Sequence, residues 1–226
     1  MALLDKVARR RGHGALLCAS QFVLRMSETY HEPMTRADPR GRLLDAALSI
    51  VGSEGLRALT HRRIEDEAGL ARGSARYHLG NNDQIIAATL EHAVLRDSRT
   101  TEAVLAKVGF EALAGNTMSF PEILAALAST YLEDPGAIRA RYELLLEATR
   151  RPSLEGEAQR WRAQFVSTAE LALTAAGQAD PHTVAVLLVA CGDGILFDAL
   201  ITGRTNTPEL AERAAAAILH ATTVTT

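Results

Sequence analysis

Residues 60–79 of this 226-residue chain, THRRIEDEAGLARGSARYHL, decide its fold. Thr60 stands where a helix N-cap belongs, because its hydroxyl can accept a backbone N–H two or three residues on. Ile64 and Ala68 lie one turn apart and share a face, and Gly69 closes the segment. Past Gly69-Leu70-Ala71, residues 72–79 form a second short helix. Ala75 and Leu79 point inward, while Arg72, Ser74 and Arg76 cannot share that face. Two short helices joined by a glycine turn predict a helix-turn-helix. Spacing alone also admits a tight helical hairpin with a solvated basic face.

The flanks are helical too. Asp38-Pro39 supplies a capping carboxylate and a proline at the first helical position, where the missing N–H costs nothing. Leu44, Ala47, Leu48 and Val51 then mark one buried stripe, and Gly55 ends a helix of about 39–54. Asn81, with Gln84 three residues on, has the form of a capping box opening a helix from Ile85 to about Val108. Residues 109–118 read as a loosened connection, and Ser119-Phe120-Pro121-Glu122 restarts a helix. Asp134-Pro135, Pro152-Ser153, Asp180-Pro181 and Thr207-Pro208 punctuate helices near 122–133, 136–150, 154–176, 182–202 and 208–221. No strand pattern occurs, and a composition 47% hydrophobic with 4% aromatic suits an all-α protein.

Charge divides along the chain. Residues 1–82 carry 13 Lys/Arg against 9 Asp/Glu, and residues 83–226 carry 11 against 18, so parts of +4 and −7 make the net −3. That asymmetry fits a small module facing polyanions joined to a domain that stays off them. Cys18 and Cys191 suggest neither a disulfide framework nor a metal site, and a reducing, cytoplasmic setting fits. The seven histidines show no metal-ligand spacing, and neither a Gly-rich phosphate loop nor a nucleophile with an evident base occurs, so no enzyme, metal or cofactor is expected. Residues 1–37, with Arg9-Arg10-Arg11 and an apolar stretch from Ala15 to Leu24, read as a flexible extension, with Met26 or Met34 as alternative starts; no small-x-small site supports a secretory signal.

The residues of the second short helix suit DNA. Arginine offers a planar fork matched to guanine or phosphate, Ser, Tyr and His donate to phosphate oxygens, and Gly73 leaves room for close approach. Thr60, Arg62 and Arg63 occupy the positive end of the preceding helix. Read in order, residues 40–94 resemble the N-terminal DNA-binding domain of the TetR family, on the turn Ala68 to Ser74, the pair Tyr77-His78 and the capped helix after Asn81. The resemblance implies a three-helix helix-turn-helix domain, 38–82, and a larger helical ligand-binding and dimerisation domain, 83–226. It implies a two-fold dimer on a palindromic operator duplex, released by a small-molecule effector. Carried over by position, Arg72, Ser74 and Arg76 are base-contacting candidates, and Thr60, Arg62, Tyr77 and His78 position the backbone. Two departures stand out: Ala71 replaces a usual serine cap, a loss of about 1 kcal/mol of capping, and Asn82 replaces a phosphate-gripping lysine. They leave open a helical ligand-binding module without sequence-specific DNA binding.

Seven of the ten aromatic residues fall between 110 and 197, and Tyr131, Tyr142, Trp161, Phe165 and Phe197 are candidates for a pocket, with Asp193, Arg141 and Glu147 as polar partners. For any single one of these aromatics, core packing is the better explanation. Val184 to Cys191 is apolar throughout, and Gly192-Asp193-Gly194 breaks it before Ile195-Leu196-Phe197, too short and interrupted for a membrane span. Such a helix must be covered on all sides, which predicts a four-helix interface between two copies from 182–202 and the Ala-rich 208–221.

Overall fold

The computed structural model describes residues 38–113 and 118–223, and the extension expected over 1–37 lies outside them. Nine α-helices occur among the described residues, with no strand: α1 Pro39–Glu54, α2 His61–Ala68, α3 Ser74–Leu79, α4 Asn82–Leu113, α5 Phe120–Leu132, α6 Pro135–Ala148, α7 Glu155–Ala175, α8 Pro181–Thr202 and α9 Thr207–Thr223. The caps read from sequence form. Asp38 accepts from the Arg40 and Gly41 amides, Asp134 from Ala137, and Asp180 from Thr183. Asn81 and Gln84 satisfy each other's backbone amides, as do Ser119 and Glu122.

Chain contacts divide the described residues into two compact units, one of residues 38–98 and 133–161, the other of 99–132 and 162–223. The division therefore does not fall at residue 82, because α6 returns to the helix-turn-helix instead of packing among the later helices. In the first unit α1 packs against α2, α3 and α6. Leu43, Leu44, Ala47, Leu48, Ile50 and Val51 of α1 are buried with Ile64, Ala68, Ala75, Leu79, Ile85 and Leu90, and α6 adds Ala140, Leu144 and Ala148. The approach of α6 is backbone on backbone: a Cβ built at Gly52 would overlap the Gly136 carbonyl. Arg139 donates through Nε to the Gly52 carbonyl at 2.8 Å, and Glu143 accepts from the Leu56 amide at 2.9 Å. His92 of α4, buried, meets Asp45 of α1 at 2.7 Å.

In the second unit α9 packs on α5 and α8. Val166, Leu173, Val184, Ala185, Leu188 and Ala215 form its core, and Val104, Val108 and Ile123 form a smaller cluster. Gly192-Asp193-Gly194 interrupts the apolar run but not the helix expected over 182–202. The helix α8 is continuous over 22 residues, since glycine weakens a helix by only about 1 kcal/mol when neighbours hold it. By length and composition alone it could cross a membrane, with a mean hydropathy of 2.2 in its most apolar window. Its outer side carries Val186, Leu187, Phe197 and Ile201, which are 37%, 45%, 51% and 67% exposed.

Gly52→Ala is expected to lower stability by about 1–3 kcal/mol, because two backbones must part to admit the methyl group. Urea unfolding followed by circular dichroism measures it, and an unchanged midpoint would contradict this packing.

Candidate nucleic-acid interface

The helices α2 and α3 have eight and six residues, too few to stand alone in water. Each is held at both ends. Thr60 Oγ1 accepts from the Arg63 amide at 3.2 Å, and the Arg42 guanidinium donates to the Ala68 carbonyl at 2.6 Å. His61 Nε2 lies 2.7 Å from the Gly80 carbonyl, joining the start of α2 to the end of α3. Gly69 closes α2 in the left-handed region at φ 62°. Gly73, at φ 90° with open space about it, is required for conformation: a side chain there would be strained although nothing blocks it. It also delays the helix to Ser74, so Arg72 lies in the turn and not on the recognition helix as expected.

Burial sorts the candidates. Ala75 and Leu79 are inside, at 0% and 5% exposure, while Tyr77 is 85% exposed with its ring edge-on to His78 at 4.8 Å. Arg76 is exposed, and Ser74 and His78 are half-buried. Arg62, with a side chain 83% exposed, forms a loose 3.9 Å ion pair with Asp66. Two other arginines are engaged. Arg63 pairs with Glu54 at 2.5 Å and Glu67 at 2.9 Å, which hold its guanidinium still more firmly protonated, and Glu54 is driven below its ordinary value in return. Arg72 pairs with Asp66 at 2.6 Å and donates to the Arg62 carbonyl at 3.1 Å. The acidic run Glu65-Asp66-Glu67 thus offsets basic residues that sequence reasoning assigned to DNA. Ala71 contributes no cap, yet α3 is capped: Glu65, 3% exposed, accepts from the Gly73 and Ala75 amides. No motif or spacing in the sequence marks Glu65 for that role.

The ligand-pocket candidates separate. Tyr142 and Trp161 belong to the first unit, around a buried pair: Asp97 accepts from Arg141 at 3.3 Å and from Trp161 Nε1 at 3.2 Å. The Arg141 guanidinium lies 5.0 Å from the Tyr142 ring centroid and 5.6 Å from that of Trp161, a cation–π arrangement. Burial pushes the Asp97 carboxyl up despite the pull of Arg141. Glu147 is taken by Arg151 at 2.6 Å. In the second unit Tyr131 shares a hydrogen bond with Thr101 at 2.9 Å, and Asp193 accepts from Arg162 at 3.1 Å. Phe165 is half-buried, and Phe197 lies on the outer side of α8. The Phe110 side chain is outside the described ones.

A six-residue helix that buries two side chains on a supporting helix and turns Arg76 and Tyr77 outward defines a helix-turn-helix protein. Residues 117–223 match the family model described as "Tetracyclin repressor-like, C-terminal domain". A member of the TetR family from Streptomyces coelicolor A3 superposes with a TM-score of 0.65 and 30% identity, covering 80% of this chain and 98% of that one. The multidrug binding protein EbrR, solved with imidazole, is 30% identical at a TM-score of 0.60, covering 80% of this chain and 94% of that one. Further EbrR structures hold ethidium, proflavin and malachite green. The HTH-type transcriptional regulator BetI of Rhizobium meliloti (strain 1021) is 29% identical over 124 residues, 49% of this chain. The chain spans 59% of the length of that curated relative. The chain belongs to the TetR family of transcriptional regulators, which are not enzymes.

Thr60→Ala removes an acceptor from the first turn of α2 and is expected to lower stability by about 1 kcal/mol. The urea midpoint checks this, and no shift would mean that the Thr60 hydroxyl does not hold the helix.

Proposed function

We propose that the protein is a homodimeric, ligand-responsive regulator, a cytoplasmic repressor that leaves a palindromic operator when a small molecule binds. The observation that carries the reading is the exposed side of α3, where Arg76 and Tyr77 face solvent while Ala75 and Leu79 are anchored beneath. A helix so presented fits the major groove, with Ser74 and Arg76 at base edges and Tyr77, His78, Thr60 and Arg62 on phosphates. Arg63 and Arg72 act once phosphate displaces their carboxylate partners. Pairs this exposed contribute little to stability, so that exchange costs little.

Dimerisation follows from α8. Leu187, Ala190, Gly194, Phe197 and Ile201 recur at alternating steps of three and four residues, the seam of a helix pair. Exposed Ala216 and Ala217 on α9 allow a close neighbour. A second copy of the chain covers this face. Two recognition helices then meet successive major grooves about 34 Å apart, and an effector that alters their separation releases the DNA. Ethidium, proflavin and malachite green are the first effectors to try, because EbrR structures hold them. Tyr131, Phe165 and Asp193 in one unit, and Tyr142 and Trp161 in the other, are the residues to probe. Phe197 is assigned to the seam on its exposure.

A second reading, a helical ligand-binding module without sequence-specific DNA binding, draws support from the ion pairs of Arg63 and Arg72 and from Asn82. Fluorescence anisotropy with the duplex flanking the protein's own gene, against a scrambled duplex, separates the two. Specific binding is expected, with Arg76→Ala reducing discrimination by about 1–3 kcal/mol and Tyr77→Phe weakening both duplexes alike. Equal, weak binding of the wild type to both duplexes would favour the module. For the dimer, Leu187→Glu with Ile201→Glu is expected to give a monomer in sedimentation with an unchanged circular dichroism spectrum; a persistent dimer would place the interface elsewhere.

A further inference from the structure

The turn leading into α3 provides that helix with no side-chain cap of its own, position 71 being alanine and Gly73 having no side chain. The first amides of a helix have no partner within it, and leaving them unsatisfied beside a packed core is costly. Here the partner comes from another element. Glu65 lies in the middle of α2 with its side chain turned inward, and one oxygen, Oε1, accepts from the Gly73 amide at 2.9 Å and from the Ala75 amide at 3.1 Å. The other oxygen, Oε2, lies 3.7 Å from the Arg72 guanidinium. A carboxylate this buried is tolerated only where donors meet it, and two amides at a helix start and a guanidinium satisfy that condition.

We propose that Glu65 is the positioning residue of the recognition helix: its carboxylate replaces the hydroxyl missing at position 71 and sets the angle of α3 on α2. A local cap fixes only the backbone beside it, whereas a cap sent from α2 joins the two helices through a side chain, below the surface that faces DNA. The inference rests on the reading of α3 as the element that enters the groove, because the orientation of α3 matters to function only there.

Two measurements on the full-length protein test it: amide hydrogen exchange at Gly73 and Ala75, and anisotropy with the native flanking duplex. Glu65→Ala is expected to speed exchange of both amides about tenfold and to weaken DNA binding about tenfold, the size of a lost cap. Adding Ala71→Ser offers a hydroxyl to the Gly73 amide, one of the two that Glu65→Ala frees, the Ser74 amide being already bonded to the carbonyl of residue 71. It is expected to restore affinity to within about threefold of wild type. Glu65→Gln retains an acceptor oxygen and is expected to keep the slow exchange. Unaltered exchange in Glu65→Ala, or no recovery on adding Ala71→Ser, overturns the proposal. Should Glu65→Ala fail to fold, recovery of the fold by Ala71→Ser supports the cap and its failure overturns it. The exchange arm needs no DNA. A wild-type protein that fails to tell the native duplex from the scrambled one therefore sinks the operator reading, while the amides still decide whether Glu65 caps α3.

Discussion

Two helices of eight and six residues cannot persist by propensity alone, because nucleating a helix costs more than so few hydrogen bonds return. Everything at the proposed interface depends on burying one face of each. Ile64 and Ala68 from α2, and Ala75 and Leu79 from α3, press onto Leu44, Ala47, Leu48 and Val51 of α1 in one core. Anchored by small and branched apolar groups, the opposite faces are released from any packing duty. That is why Tyr77 can stand 85% exposed on an ordered helix.

What the sequence disclosed followed the range of each interaction. Caps at Asp38, Asn81, Ser119, Asp134 and Asp180 are contained within three residues, so their spelling is their structure. The inward positions Ile64, Ala75 and Leu79 followed from helical period. The start of α3 was placed two residues early because a glycine at φ 90° is invisible to periodicity. The partners of Arg63 and Arg72 also escaped notice. Arg63 reaches back nine residues to Glu54, and Arg72 six to Asp66, and such pairs depend on how a turn folds back. The return of α6 to the first unit was least legible, since nothing in Pro135–Ala148 announces that its partner lies more than eighty residues earlier.

Electrostatics at the interface is accordingly more restrained than the basic letters suggest. Of five arginines between positions 57 and 76, Arg63 and Arg72 are held by carboxylates at 2.5–2.9 Å, and Arg62 loosely by one at 3.9 Å. A surface whose positive groups carry internal counterions attracts nonspecific polyanions less than bare arginines would, because phosphate must displace a partner before it gains one. On the proposed reading, discrimination then falls more heavily on Arg76 and on the pose of α3.

The glycine pair at Gly52 and Gly136 bears on how the polypeptide comes to be made. A chain emerging from the ribosome exposes α1, α2 and α3 long before residues 133–161 exist, and until then the sides of α1 awaiting Ala140, Leu144 and Ala148 stay wet. Final closure of the amino-terminal core waits for a segment synthesised after α4 and α5. A fragment ending at residue 98 therefore lacks part of its own interior, and the portion that reads as a freestanding module is completed by residues from the far side of an intervening insertion.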